Sequence, residues 1–172
     1  MAQPWTVNGL TPDAVFRSAA GRIILTRWRE MMSYQEGTLA GTDIEELHAM
    51  RVSSRRLRAA MDAFADAFPP REFRRYLRQV KRITDTLGDA RDLDVTIAHL
   101  DALLVDLTSI DRPGVIGLIS RYQAQREIET THIASLFAQL ENDGFSTQFE
   151  KWITQHTGIK IAKLRPAPPE TP

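Results

Sequence analysis

Two consecutive segments, residues 42–68 and 70–87, place apolar residues on one side and arginines on the other, and they meet at Pro69-Pro70. On a wheel of about 100° per residue, Met50, Leu57, Met61, Phe64 and Phe68 share one narrow sector of the first segment. Phe73, Tyr76, Leu77, Val80, Ile83 and Leu87 form the equivalent stripe in the second. Two amphipathic helices joined by so short a turn pack as antiparallel neighbours, with both apolar stripes turned to a common core.

The remaining punctuation extends the helical reading. Thr11-Pro12 has the form of an N-cap and first helical position, opening a helix to about Glu36, with Gly37 and Gly41 marking the next turn. Thr42, three residues before Glu45, has capping-box spacing for the helix that follows. Gly88 interrupts the pattern, which resumes from Ala90 to Leu107. Asp111 is placed to cap a helix from Arg112 to Glu141, and a shorter helix is expected over 146–156. No stretch alternates with period two between turn residues, so no strands are expected. After Gly158, four prolines in the last seven residues favour an extended tail. The expected organisation is an arm (1–10), one all-α antiparallel bundle of five to six helices (11–157) and a Pro-rich tail (158–172).

The chain of 172 residues carries 22 basic and 22 acidic side chains, so its net charge is zero and says nothing about a partner. The distribution is informative. Residues 48–82 hold ten Arg and Lys against Asp62, Asp66 and Glu72, and the rest of the chain is acidic. No cysteine is present, which excludes disulfides, zinc-thiolate sites and thiol nucleophiles. The first ten residues do not read as a signal peptide and no apolar run is long enough to span a membrane, so a cytoplasmic protein is expected.

Opposite the apolar stripe of the first segment lie His48, Arg51, Arg55 and Arg58, spaced three, four and three residues apart, with Arg56 at the margin. In the second segment Arg71, Arg74, Arg75, Arg78, Lys81 and Arg82 occupy about a third of the circumference. Cations along a helix are ordinarily a solvated face, but such a face mixes in acids, because like charges one turn apart repel. In the second segment the six cations have, on their own side, Asp85 alone for company, at the far end, which points to a counter-charge from outside. Arginine outnumbers lysine eighteen to four, as suits forked contact with phosphate oxygens. The two basic faces are expected to merge into one strip.

The segment HAMRVSSRRLRAAMDAF, followed after about twenty residues by LGDARDLDV, closely resembles the two signature blocks of the CHAD (conserved histidine α-helical domain) family. His48, Arg51, Val52, Arg55, Arg56, Leu57 and Arg58 fill the first block. Leu87, Gly88, Arg91, Asp92, Asp94 and Val95 fill the second. The resemblance implies a helical bundle that binds inorganic polyphosphate through a basic groove without catalysis. It also implies association with polyphosphate granules and a triphosphate-tunnel enzyme as partner. Carried over residue by residue, the ligands are His48, Arg51, Arg55, Arg56, Arg58 and Arg91; the wheel adds Arg74, Arg75, Arg78, Lys81 and Arg82. Full-length family members have two similar lobes. After residue 100 this chain offers Arg121, Arg126 and His132 but no second basic helix. A single lobe has half the groove, which predicts a homodimer joining two basic faces. Protonated His48 would be a stronger donor, so binding is expected to strengthen below about pH 6.5.

The rival readings are a general polyanion or nucleic-acid binder and an adaptor bundle for an acidic protein. Against nucleic acid, no aromatics interleave with the cations to stack bases. An enzyme is the remaining alternative. Glu45-Glu46-Leu47-His48 and Glu129-Thr130-Thr131-His132 have the Glu-x-x-His spacing of di-iron bundles, but His48 falls among the arginines, where a metal cation would be repelled. Asp85, Asp89, Asp92 and Asp94 are expected to pair with Arg82 and Arg91 or to cap the break at Gly88. No phosphate loop or nucleophile motif is present, so no cofactor, metal or catalytic residue is expected.

Overall fold

Helix α1 (Phe16–Met32) begins later than the Thr11-Pro12 signal implies. Residues 11–14 form a single turn, with the Ala14 N–H donating to the Thr11 carbonyl, and Val15 is extended ahead of the helix. The chain then breaks at Ser33–Tyr34 rather than running on to Glu36, and Ser33 donates its hydroxyl to the Glu30 carbonyl at 2.8 Å. A short α2 (Gln35–Ala40) follows, so Gly37 is helical rather than a turn. The computed structural model describes residues 3–159; residues 160–172, which hold most of the expected Pro-rich tail, lie outside it.

Helix α3 (Ile44–Ala63) is capped by Asp43, whose carboxylate accepts from the Glu45 N–H at 2.8 Å. The expected Thr42 box is not used, because Asp43, one residue later and anionic, meets the helix N-terminus first. A 3-10 turn (Ala65–Ala67) and Pro69 lead into α4 (Pro70–Leu103), with Pro70 at its first position. The expected interruption at Gly88 does not occur. An interior glycine costs about 1 kcal/mol, and the buried Leu87, Ala90 and Asp94 carry the inward face straight through it. Helix α5 (Arg112–Asn142) and helix α6 (Phe145–Thr157) complete the chain. Asp111 precedes α5, but its carboxylate accepts from the Thr108 hydroxyl at 2.7 Å and bonds no helix N–H. The tight α5–α6 turn passes through Gly144 at φ +61°, a conformation that costs other residues a Cβ clash.

The architecture is an all-α bundle, with no strand among the described residues. Helix α1 packs on α3 and α6, α4 on α3 and α5, and α5 on α6, closing a ring around one core. Its widest part is aromatic. Trp28 sits edge-on to Phe145 and Phe149 at 5.6 and 5.1 Å, while Trp152 lies 4.8 Å from Phe68 and 4.6 Å from Tyr76. Ile159, beyond the expected end of the bundle, is also buried.

Among the described residues, the carboxylate of Glu30 is sealed inside. Glu30 on α1 is 0% exposed, and its carboxylate accepts from Arg27, from Arg56 at 2.9 Å and from the backbone N–H of Trp5 at 3.3 Å. Arg27 also donates to the Trp5 carbonyl at 2.9 Å, so this carboxylate ties the N-terminal arm, α1 and α3 together.

Candidate polyanion site

The continuous α4 changes the meaning of its charged residues. Arg71, Arg74, Arg78, Lys81, Asp85, Asp89 and Asp92 follow one another at spacings of three or four, so they form a single ridge that changes sign halfway along. Helix α3 has the same plan: His48, Arg51, Arg55, Arg58, then Asp62. Because the helices are antiparallel, the cationic half of each lies beside the acidic half of the other. Their seam is an open groove of about 630 Å³, with Arg51, Arg55, Arg58 and Asp62 on one bank and Asp85, Asp89 and Asp92 on the other.

The groove explains Gly88. A Cβ there would lie 3.7 Å from Arg51 Nε, so the arginine stem crosses directly over the glycine, and Arg51 Nη2 comes to 3.8 Å from Asp92. Arg58 stands 4.0 Å from Asp62, one turn on. Asp92 therefore meets an arginine of α3 rather than Arg82 or Arg91, as α4 had been expected to provide. Asp94 pairs with Arg126 of α5, at 2.7 Å.

The cationic half of α4 is less compensated. Arg71, Arg74, Arg75, Arg78 and Arg82 are exposed and Lys81 half-buried, with Glu72 the one acid among them. Among the described residues, none of these six cations forms an ion pair. Arg75 lies over the Tyr76 ring at 5.9 Å. Followed along α3 from Arg51 to Arg58 and then along α4 from Lys81 back to Arg71, the positive charge makes a diagonal track of about 25 Å, at 1.5 Å per residue.

Two of the expected ligands stand apart from it. Arg56 is bonded to buried Glu30 and serves the core. Arg91 follows Phe73 by 18 residues, five full turns, and so shares the inward side of α4, where it is half-buried. His48 is half-buried on the α3 ridge, and its Nδ1 has no hydrogen-bond partner.

Sequence reasoning named the acids of the groove as arginine partners but assigned them to Arg82 and Arg91 rather than to α3, because it broke α4 at Gly88. The signal was present: 85, 89 and 92 continue the spacing of 74, 78 and 81. It also missed Arg126 as the partner of Asp94. Of the two Glu-x-x-His pairs, Glu129 and His132 do meet, at 3.0 Å, on an exposed surface of α5. Among the described residues, no cluster of His, Asp or Glu has the arrangement of a metal site. No helix there is long and apolar enough to cross a membrane.

A protein-family model, the CHAD domain, matches residues 22–170. A comparison with curated proteins finds no match.

Proposed function

Because the chain belongs to the CHAD domain family, we propose that it binds inorganic polyphosphate along the diagonal of cations on α3 and α4, without catalysing a reaction. The observation that carries this reading is the run of unpaired cations on α4, from Arg71 to Arg82, continuous in direction with Arg51, Arg55 and Arg58 of α3. A linear polyphosphate presents repeated anionic oxygens and nothing else to recognise. Guanidinium groups spaced along a ridge answer that repeat with charge-assisted hydrogen bonds. Binding releases counterions, so affinity falls steeply with salt.

The two halves of the track contribute unequally. The α3 arginines share their groove with Asp62, Asp85, Asp89 and Asp92, which offset their field. The first half of α4 faces solvent with Glu72 as its one acid, so it supplies most of the affinity. Arg56, bonded to buried Glu30, acts in the fold rather than as a ligand.

The test is a titration of the purified chain with long-chain polyphosphate, duplex DNA and orthophosphate at one salt concentration. The reading expects tight binding to polyphosphate, weaker binding to DNA and none measurable to orthophosphate. Equal affinity for DNA would make the track a general polyanion surface, and no binding to any of the three would reject it. Light scattering in the same samples tests the homodimer: the expected mass is twice that of one chain, and a monomer with and without polyphosphate would exclude it.

A further inference from the structure

Helices α4 and α5 run on past the rest of the bundle. Helix α3 begins at Ile44, which lines one concavity together with Asp94 of α4 and Arg126 of α5. From that level α4 continues nine residues to Leu103, and α5 starts fourteen residues earlier, at Arg112, so the two arms extend about 14 and 21 Å. Of the elements packed on α4, the 3-10 turn lies at its opposite end and α3 has ended, which leaves α5. The projection is a helical hairpin turned at residues 104–111.

The hairpin is apolar without a core. Of residues 95–125, Ile119 alone is buried. Leu93, Ile97, Leu100 and Leu104, spaced four, three and four apart, are half-buried and form the row that meets α5. The adjacent row, Val95, Ala98 and Ala102, is exposed. Five of the eleven exposed large apolar side chains among the described residues fall in this fifth of the chain: Val95, Leu103, Val105, Ile110 and Ile116, from 39% to 87% exposed. Two helices enclose no interior, and an apolar face of this kind is covered by further helices.

The charges indicate what covers it. The α4 arm (95–103) carries Asp101 and no Lys or Arg, and the α5 arm (112–125) carries Arg112 and Arg121 and no acid. A two-fold axis lays the α4 arm of one copy against the α5 arm of the other, so each arm meets the opposite sign. An anionic membrane surface does not fit, because Asp106 and Asp111 of the turn join Asp101 against those two arginines. The size is also in keeping: a stable interface takes about 20–30 residues from each partner, and residues 95–125 number 31.

We propose that the α4–α5 hairpin pairs with the hairpin of a second copy of this chain, related by a two-fold axis, to close a four-helix bundle. The joint lies away from the basic faces. Val95 is thirteen residues, about 20 Å along α4, from Arg82, so the cation track of each copy stays open. The inference rests on no part of the polyphosphate reading.

The experiment is sedimentation equilibrium of the full chain at micromolar concentrations, without polyphosphate, and the expected mass is twice that of one chain. Ala98→Glu/Ile116→Glu puts charge on the face at two exposed helical positions. It should keep the parent's far-UV circular dichroism and give the mass of one chain. Val105→Lys, in the turn and 81% exposed, cannot disturb the core and should weaken the dimer severalfold. Arg74→Glu/Arg78→Glu, on the cation ridge, should remain a dimer. A monomeric parent would overturn the proposal, and one that floats with phosphatidylcholine–phosphatidylserine vesicles would give the face to a membrane instead. Full dimerisation in both hairpin variants, or a monomeric ridge variant, would overturn it as well.

Discussion

Arg56 and Arg78 look alike in the sequence, two arginines on amphipathic helices, yet they answer to different forces. Arg56 holds the carboxylate of fully buried Glu30 at 2.9 Å, and Arg78 is exposed without an ion-pair partner. Removing Arg56 leaves a buried acceptor underpaired, so Arg56→Ala should cost roughly 1–3 kcal/mol of stability in urea denaturation. Arg78→Ala, a surface change, should stay within about 0.5 kcal/mol. Equal midpoints for the two variants would contradict this division. Tyr34 and Tyr76 give a second residue-scale test. Burial raises both phenols above their ordinary value of 10.0; Glu30 and Glu46 add to the effect on Tyr34, whereas Arg75 opposes it on Tyr76. The unfolded chain thus releases these protons at lower pH than the folded chain does. Stability is at its plateau below about pH 10 and falls as pH rises towards the raised folded-state values. A tyrosinate absorbance titration should therefore show a higher midpoint folded than in urea, and coincident curves would contradict the burial argument. At this scale the candidate ligands were legible from type and spacing, but the fate of Arg56 was not. Its partner lies 26 positions away on α1, and no local pattern announces a carboxylate buried by tertiary packing.

Helix α4 is where local reading failed and continuity won. Gly88 carries a strong interruption signal, but the inward residues Ile83, Leu87, Ala90 and Asp94 keep helical period across it, and α3 and α5 pack along both sides. Gly88 is thus an ordinary helical glycine with room above it, since an added Cβ would meet Arg51 Nε at 3.7 Å. Gly88→Ala should stabilise the protein by about 0.5–1 kcal/mol. Gly21 is the contrasting case: a Cβ there would lie 2.5 Å from the Thr157 hydroxyl oxygen, where α1 meets α6. Gly21→Ala should destabilise by about 1–3 kcal/mol, through overpacking. Thermal or urea unfolding of the two variants checks both signs, and a destabilising Gly88→Ala would mean that the helix needs flexibility there. The positions of α3, α5 and α6 were close to legible because apolar periodicity and Pro or Gly punctuation agree. The start of α1 was not, since Thr11-Pro12 is a good local signal that the arm overrides by turning back to bond Glu30 and Arg27 through Trp5.

At the scale of the molecule, a chain of zero net charge presents a surface with strong local polarity. Each of α3 and α4 changes sign along its ridge, and antiparallel packing turns two such helices into a diagonal of cations crossed by a diagonal of acids. The sequence made the cations visible, but the acids became part of the site once Gly88 proved to be helical. If those acids offset the α3 arginines, Asp89→Asn/Asp92→Asn should strengthen polyphosphate binding by about fivefold, equivalent to the ~1 kcal/mol of one charge contact in water. Unchanged affinity would place the anion away from the groove.

The most direct test of the central claim is the affinity for long-chain polyphosphate across a salt series, with Arg74→Ala/Arg78→Ala and Arg51→Ala/Arg55→Ala beside the parent chain. The diagonal track predicts steep salt dependence in the parent. It predicts a slope shallower by about 1.4 in the α4 pair, for two lost contacts, with a smaller loss in the α3 pair. A parent affinity indifferent to salt, or an α4 pair with the parent slope, would contradict it.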